Sequence, residues 1–192
     1  WDTPFQFLIC ILLSAQTTDR QVNKLTKELF NRYPNAMSFS VASLRDVEDM
    51  VRGVNYFKTK AKHIVESSKI LVEKYGGEPP KDLKLLQLLP GVGYKTANVF
   101  LNDLYGANQG IAVDTHVSRV ARLYGLSSNV DPTKIAHDLE GLYPREVWYM
   151  VNSIFVLYGR YILKAKKPDW DKVVLKEFIK TDLEAQPKKI SS

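Results

Sequence analysis

The stretch LPGVGYKTA, residues 89–97, decides how this chain folds. Two glycines stand on either side of one apolar residue, which lets the backbone turn sharply and approach another surface closely. Asp82 is placed to cap a short helix before the turn, and Tyr94 begins another helix after it. A bare Gly-x-Gly also occurs in ordinary helix–helix turns, but the leading Leu-Pro and the trailing Lys-Thr-Ala make this pattern more specific. The stretch predicts two helices joined by a tight glycine hairpin.

The helix that follows the hairpin is expected to bind a phosphate group. Its first turn presents backbone N–H groups that have no intrahelical partner, and the helix dipole makes this end positive. Such a site binds an anion without reading a base sequence. We expect Gly91, Gly93 and Thr96 to contact the phosphate.

Lys95 lies in the first turn of the same helix, which is an unfavourable place for an ammonium group because that end is already positive. The position therefore favours the neutral amine, a nucleophile that can form a Schiff base. A lysine placed in this way is also compatible with a phosphate contact or a solvated surface residue. The neighbouring motif has to decide between these roles.

That second motif, AVDTHVSRV at residues 112–120, places Asp114 at the start of a basic helix. Its side chain is suited to capping the helix, a role worth about 1 kcal/mol. A carboxylate near the nucleophile also stabilises positive charge in a transition state and assists proton transfer, and the two roles are compatible. His116 and Arg119 either face phosphates, pack in the core or are solvated.

Helical periodicity dominates the chain, and the segments are separated by helix caps rather than hairpin turns, so we predict an all-α protein. Composition turns small and polar between Gly106 and Gly110, which predicts two helical lobes, residues 1–107 and 108–192, with the active site in the cleft between them. Two helices are predicted by their starts alone, at Thr3-Pro4 and at Asp131-Pro132, and a third starts at Asp82 and runs into the hairpin. The other predicted helices run from Asp19 to Phe30, Ser43 to Gly53, about Thr59 to Tyr75, Tyr94 to Gly106, Asp114 to Tyr124, Pro144 to Leu163 and Asp171 to Leu183.

Composition limits the class of protein. The 192 residues are 45% hydrophobic and 25% charged, which suits compact cores and differs from a disordered chain. The longest apolar run, Phe7 to Leu13, is too short for a membrane span of about 20 residues. It does not have the flanks of a signal peptide either. We therefore expect a soluble cytoplasmic protein without a membrane partner.

Charge and cysteine content narrow the partners further. Lys and Arg outnumber Asp and Glu by 27 to 21, and the net charge of +6 favours polyanionic partners. The single cysteine, Cys10, excludes an intramolecular disulfide and a cysteine-clustered metal site. Its apolar neighbours predict a buried position.

The hairpin segment LPGVGYKTANVFL (89–101) and the segment AVDTHVSRVARLYG (112–125) together resemble the helix-hairpin-helix glycosylases of the endonuclease III family, in the HhH-GPD superfamily. FLICILLSAQTTD (7–19) and YGRY (158–161) are similar to further segments of that family. The resemblance implies a bifunctional DNA glycosylase and AP lyase of base excision repair. In that family the lysine corresponding to Lys95 attacks the sugar C1′, and the aspartate corresponding to Asp114 is the essential carboxylate.

The same resemblance implies a substrate and a partner. The expected substrates are oxidised or ring-saturated pyrimidines such as thymine glycol, in damaged double-stranded DNA, with strand cleavage by β-elimination. The enzyme is expected to act as a monomer, associated with the nucleoid if the source is prokaryotic. His116 would then contact the DNA.

Removal of a damaged base from a duplex requires that the base be flipped out and the gap filled. Gln16 matches a family position that enters the vacated stack, although a helix cap or a surface amide is the alternative. Tyr56 aligns with an aliphatic wedge of the family and either stacks on a base or packs in the core. Lys58, Lys60 and Lys62 alternate along the next segment, so only part of this group can face DNA.

Most family members carry a [4Fe–4S] cluster on four cysteines spaced C-x6-C-x2-C-x5-C. None of these cysteines is present here: Trp170 aligns with the first ligand, and Glu177 and Lys180 lie near later ones. We therefore expect no cofactor and no metal. The second lobe would instead be held by an apolar face made of Trp170, Val174, Leu175 and Phe178.

Two other functions remain open on the residues alone. A monofunctional glycosylase for mismatched or alkylated bases would use water and leave the strand intact. A non-catalytic helix-hairpin-helix protein would only bind DNA, with Lys95 as a phosphate contact and Asp114 as a cap.

Overall fold

The computed structural model describes residues 1–179, and no β-strand occurs in that range. The all-α prediction is confirmed. Two short 3₁₀ turns, Arg145–Val147 and Lys176–Phe178, accompany the α-helices. These helices are α1 (Pro4–Ser14), α2 (Asp19–Arg32), α3 (Ala36–Ser40), α4 (Leu44–Met50), α5 (Phe57–Tyr75), α6 (Leu83–Leu86), α7 (Tyr94–Tyr105), α8 (Thr115–Leu123), α9 (Pro132–Leu142) and α10 (Trp148–Tyr161).

The chain forms two compact units, one from Trp1 to Gln109 and one that begins at Gly110. The first unit contains α1 to α7, and the second contains α8 to α10. None of the helices between residues 1 and 179 is long and apolar enough to cross a membrane.

The first unit is built around α5. This helix lies against α3 and α4, while α1 packs on α2, α5 and α7. The largest fully buried side chains of the unit include Phe5, Phe39 and Phe100. Each such ring stabilises the fold by about 1.5–3 kcal/mol through its removal from water. Because α5 is the longest helix and central to this core, the loops that touch it are well supported.

Short polar side chains cap six of the ten α-helices in residues 1–179, whereas Ser43, predicted to start α4, makes no capping hydrogen bond. The glycines Gly76 and Gly106 end α5 and α7 in the left-handed conformation, with φ of 63° and 58°. Pro4 and Pro132 lie in the first turns of their helices. First-turn amides donate hydrogen bonds to the side chains of Thr3, Thr18, Asn35, Asp82, Asp114 and Asp131.

The helix α3 is absent from the sequence prediction, because its five residues are too few to show a helical repeat. A capping box marks its start in the structure. The amide of Ser38 donates to Oδ1 of Asn35 at 3.0 Å, and the amide of Asn35 donates to Oγ of Ser38 at 3.3 Å. The fully buried Phe39 then fixes this short helix to the core.

The helix predicted from Asp171 to Leu183 is wrong over residues 171–179, and its remaining residues lie outside the described part of the chain. Only the 3₁₀ turn Lys176–Phe178 forms there. Leu175 adopts a φ of 51°, in the left-handed region. A residue in this conformation cannot continue a right-handed helix.

The apolar face predicted for this segment is wrong as well. Trp170, Val174, Leu175 and Phe178 are between 43% and 61% exposed. Without a helix, residues three or four positions apart no longer share a face. The segment is instead attached through Val173, which is 5% exposed and packs in a cluster with Val120 and Leu163.

Tyrosine hydroxyls complete this attachment. The hydroxyl groups of Tyr124 and Tyr158 lie 2.9 Å apart. Tyr124 donates to the carbonyl oxygen of Val174 at 2.6 Å, and Tyr158 accepts from the amide of Val174 at 2.9 Å. Burial, followed by the hydrogen bond to Tyr158, raises the pKa of Tyr124 well above its usual range. The second unit therefore secures its last described segment by hydrogen bonds as well as by Val173.

Candidate functional site

The glycine hairpin forms as the sequence predicts, with α6 before the turn and α7 after it. Gly91 has a φ of 79°, which only glycine adopts without strain. A Cβ at this position would also meet Nδ1 of His63 at 2.6 Å. Val92 is 5% exposed and anchors the turn in the core. Conformation and close packing therefore both require glycine at position 91.

Two side chains of helix α5 support the hairpin. The buried hydroxyl of Ser67 donates to the carbonyl oxygen of Pro90 at 3.0 Å. His63 lies one helical turn earlier and covers Gly91. These two side chains fix the position of the turn relative to α5.

Gly93 differs from Gly91 in what surrounds it. It has an ordinary negative φ of −83°, and a Cβ built on it would meet nothing within 4 Å. Within residues 1–179, the surrounding structure therefore gives no reason for glycine at this position. Open space beside a helix N-terminus suits the close approach of an external group.

The first turn of α7 carries the other residues predicted for this site. Lys95 is exposed and Thr96 is half-buried. Gly93 is the N-cap, so no side chain caps this helix end. The positive end of the helix dipole is therefore not offset by a capping oxygen or by an acidic residue in the first turn.

Asp114 caps α8 in the second unit. Its Oδ1 accepts hydrogen bonds from the amides of His116 and Val117, both at 2.8 Å. Both bonds use the same oxygen, so capping does not engage Oδ2. The side chain is half-buried. The carboxylate is oriented by the cap and still has an oxygen for chemistry.

The residues just before Asp114 are held rigidly. Ile111, Ala112 and Val113 are at most 3% exposed. The amide of Ile111 donates to Oε1 of Glu140 at 2.7 Å, and the side chain of Asn152 donates to the carbonyl oxygen of Ala112. Helices α9 and α10 thus both fix the approach to the carboxylate.

Arg119 is a structural residue of the second unit. Its Nε donates to the carbonyl oxygen of Leu163 at 2.7 Å, and its Nη2 donates to that of Gly159 at 2.6 Å. Nη2 also lies 3.1 Å from Nδ1 of His116. A Cβ on Gly159 would meet the Cβ of His116 at 2.9 Å, so α8 and α10 are in close contact. Of the roles left open for Arg119, the structure favours packing.

The two residues predicted to fill the gap in the stack, Gln16 and Tyr56, are both exposed. Tyr56 is 66% exposed and does not belong to the core. Both residues adopt the left-handed conformation, with φ of 55° and 56°. Left-handed backbone is unusual for residues other than glycine and is concentrated at functional sites.

Lys60 is a residue that sequence reasoning missed. The alternation of Lys58, Lys60 and Lys62 predicts only that part of the group faces outward. In the structure Lys58 and Lys62 are exposed, whereas Lys60 is 6% exposed and hydrogen-bonded at the end of α1. Its partners are more than 40 positions away in the sequence, so no local pattern could reveal them.

A cavity of about 210 Å³ lies beside these residues within the first unit. It brings together the loop after α1, the start of α5 and the hairpin. Its lining includes Gln16, Tyr56, Lys60, His63 and Gly91.

Comparison with known proteins identifies the family. Residues 9–145 match the model of the HhH-GPD superfamily of base excision DNA repair proteins. The chain belongs to this superfamily. It is 39% identical over 168 residues to endonuclease III of Synechocystis sp., covering 88% of this chain and 77% of the relative. It is 37% identical over 166 residues to endonuclease III of Bacillus subtilis, covering 86% and 75%.

A solved structure gives the same assignment. The structure of a trapped endonuclease III–DNA covalent intermediate has a TM-score of 0.84 and 36% sequence identity, covering 93% of this chain and 84% of that one. The predicted resemblance to the endonuclease III family is confirmed. The chain is an endonuclease III-like DNA glycosylase and AP lyase of base excision repair.

Proposed function

We propose that this enzyme removes oxidised or ring-saturated pyrimidines from double-stranded DNA, with Lys95 as nucleophile and Asp114 as catalytic carboxylate. The observation that carries the proposal is Lys95 itself, exposed on the first turn of α7 immediately after the two-glycine hairpin. No side-chain cap or acidic residue occupies that turn, so the amine lies at an open helix end where a substrate can approach it.

The chemistry requires one amine and one carboxylate. Nζ of Lys95 forms a bond to C1′ as the bond from C1′ to the base breaks, and the base leaves with a proton. The nitrogen lone pair then forms a C1′=N bond as the C1′–O4′ bond breaks and O4′ takes a proton from water, which opens the sugar ring and gives a protonated imine. Loss of a proton from C2′ expels the 3′ phosphate by β-elimination, and water releases the enzyme. Oδ2 of Asp114, which the cap does not use, is suited to stabilise positive charge on the sugar.

Several surfaces, most of them in the first unit, are proposed to hold the DNA. The hairpin and the first turn of α7, with Gly91, Gly93 and Thr96, would bind a backbone phosphate. Gln16 and Tyr56 would fill the space that the flipped nucleotide leaves, and their exposure supports this role. His116 is proposed as a further contact, although its Nδ1 already lies beside Arg119.

We also propose that the second unit works without an iron–sulfur cluster. The chain has one cysteine, so it cannot supply the four thiolates that such a cluster takes. That residue, Cys10, is half-buried on α1 in the first unit, and burial raises the pKa of its thiol. Within residues 1–179 no three His, Cys, Asp or Glu side chains form a metal-binding group. Iron in stoichiometric amount in the purified, folded protein would refute this part of the proposal.

The remaining features follow from the same function. We propose that the two compact units act as the two lobes of a monomeric enzyme that works on chromosomal DNA in the cytoplasm. Sedimentation of the protein bound to a short duplex would give the mass of one chain per duplex.

Borohydride trapping tests the central proposal. Borohydride reduces an imine to a stable amine, so the wild-type protein should become covalently attached to a duplex that contains thymine glycol. The Lys95→Gln variant should give no adduct. Lys69→Gln is the matched control, because Lys69 is an exposed lysine on α5 and its loss should leave trapping unchanged.

The other outcomes separate the alternative functions. Base release without an adduct would indicate a glycosylase that uses water. Binding without base release, on a panel of oxidised, mismatched and alkylated bases, would indicate a DNA-binding protein. An adduct that persists in Lys95→Gln would assign the nucleophile to another amine.

A further inference from the structure

The ammonium group of Lys60 closes the C-terminal end of α1. Its Nζ donates hydrogen bonds to the carbonyl oxygens of Leu13 at 2.7 Å and Ala15 at 2.6 Å, and to Oγ1 of Thr17 at 3.1 Å. An ammonium group has three protons to donate, and these contacts use all of them. The residue is only 6% exposed. Lys60 is therefore a buried cation with all three of its protons in hydrogen bonds, rather than a surface charge.

This arrangement suits the electrostatics of α1. The C-terminal end of a helix carries partial negative charge, and the last turn of α1 contains no basic residue. Lys60 supplies the missing cation from α5. Burial lowers the pKa of this ammonium group, so its three oxygen partners have to offset the loss of water.

The loop that Lys60 holds is strained at Gln16, which is exposed. Gln16 lies between two residues that accept from Lys60, Ala15 and Thr17, and adopts a φ of 55°. The side chain of Asn55 donates to the carbonyl oxygen of Gln16 at 2.5 Å. Two side chains therefore hold the backbone on both sides of Gln16 in a conformation that a free chain would leave.

We propose that Lys60 is a positioning residue for lesion extraction, which holds the loop Ala15–Thr17 so that Gln16 can enter the DNA stack without further ordering of the backbone. The inference rests on the proposed function, because it assigns Gln16 to the gap left by a flipped base. The role proposed for Lys60 involves no contact with the reacting sugar or with Lys95. It acts through the loop alone.

Preordering of this loop matters because base extrusion is itself unfavourable. Unstacking and unpairing a base has to be offset by the side chain that replaces it. Ordering the backbone of one residue costs the equivalent of about tenfold in an equilibrium constant. A loop that is already fixed avoids that cost at the moment of insertion.

The same face of α5 positions the hairpin. Lys60, His63 and Ser67 are spaced three and four residues apart, so they lie along one side of the helix. His63 covers Gly91, and Ser67 donates to Pro90. One helix thus sets the distance between the loop that carries Gln16 and the hairpin proposed to bind phosphate.

The test compares excision of the same lesion in paired and unpaired DNA. Thymine glycol is placed in a full duplex and in a short bubble, where the flanking bases are unpaired and no stack has to be opened. Single-turnover base release is measured for wild type and Lys60→Met. We expect Lys60→Met to slow release from the duplex by about tenfold or more and release from the bubble by less than about twofold.

Lys62→Met is the matched control, because it removes the same charge from an exposed position on the same helix. Any general loss of attraction to DNA lowers both rates together and leaves their ratio unchanged. Equal slowing of duplex and bubble by Lys60→Met would overturn the inference, as would an unchanged rate on both. Either result would assign Lys60 to stability alone.

Asn55→Ala provides a second, independent perturbation if Lys60→Met does not fold. Asn55 is exposed, so its truncation removes the bond to Gln16 without opening the core. The same selective slowing on the duplex is expected, and its absence would contradict the positioning role. Borohydride trapping at a preformed abasic site keeps the two proposals distinct. Failure of the wild-type protein to form an adduct refutes the proposed function. If all variants form the adduct and the ratio of base-release rates on duplex and bubble is unchanged, only the role of Lys60 is refuted.

Discussion

Replacement of each hairpin glycine by alanine should affect stability differently, although the chemical change is the same. At Gly91 the added Cβ would lie 2.6 Å from Nδ1 and 3.1 Å from Cγ of His63. The φ of 79° would also have to be maintained by a residue that disfavours it. At Gly93 the φ is −83° and the space is open.

The structure sets the size of each effect. Left-handed backbone costs an alanine about 1–2 kcal/mol, and displacement of the His63 ring adds about 1–3 kcal/mol, as for an overpacked core. The lower entropy of the unfolded alanine chain returns about 0.4–1 kcal/mol. Gly91→Ala should therefore lower the free energy of unfolding by about 1–5 kcal/mol, while Gly93→Ala should leave it unchanged or raise it by up to about 1 kcal/mol.

Urea unfolding followed by far-UV circular dichroism measures both variants against wild type. The double variant Gly91→Ala/His63→Ala separates the two costs, because removal of the ring should recover the steric part and leave the backbone part. DNA affinity gives the second comparison. If a phosphate approaches the backbone of Gly93, then Gly93→Ala should weaken binding although the fold is intact.

A clear pattern would refute this reasoning. Equal destabilisation by the two substitutions would mean that the hairpin backbone differs from the one described. Full stability of Gly91→Ala would show that neither the left-handed conformation nor the contact with His63 constrains the turn. Unchanged DNA affinity in Gly93→Ala would remove Gly93 from the phosphate site.

Asp114→Asn should slow base release by about a hundredfold or more, since the charge is lost. Lesion binding and thermal stability should stay near wild type, because Asn caps a helix as well as Asp. Turnover at the wild-type rate would exclude the carboxylate from the mechanism. Arg119→Met should lower the free energy of unfolding by about 1–3 kcal/mol, because carbonyl groups of Gly159 and Leu163 lose their donor, and unchanged urea unfolding would contradict the bracing role. Above pH 10, the ordinary value for tyrosine, unfolding should become easier with rising pH, because Tyr124 ionises in the unfolded chain first; Tyr124→Phe should flatten this dependence in alkaline urea titrations. The affinity for damaged duplex should fall steeply with salt, and a flat salt profile would argue against backbone phosphate contacts.

The sequence predicts most of this fold because its helix signals are local. Each of α5, α7 and α8 has apolar residues at helical spacing and a left-handed glycine shortly after its last turn, so these helices could be placed from their own residues. The helix predicted from Asp171 is wrong because the structure of that segment depends on contacts with distant residues. Its apolar spacing is compatible with a helix, but the left-handed Leu175 and the bonds of Val174 to Tyr124 and Tyr158 depend on the rest of the unit.

The candidate site divides in the same way. Lys95 and Asp114 belong to continuous motifs, and their helix-terminal positions follow from neighbouring residues. Of the two reasons for glycine at position 91, only one can be predicted from neighbouring residues. Its conformation can be expected from a hairpin, whereas its contact with His63 arises from the packing of α5 on the turn.

Lys60 shows why the remaining part could not be predicted. In the sequence it is one of three alternating lysines, and hydrophobicity alone would place all of them in solvent. A buried ammonium group is stable only where several oxygen atoms converge, and here they come from the end of a different helix. The carbonyl groups at the end of a helix have no amide partner within it, and here the cation that binds them comes from α5, which packs on α1. The position of Gln16 thus depends on Lys60, a residue 44 positions later in the chain. The proposed insertion of Gln16 into the DNA stack would therefore depend on the packing of α5 on α1 rather than on the loop sequence.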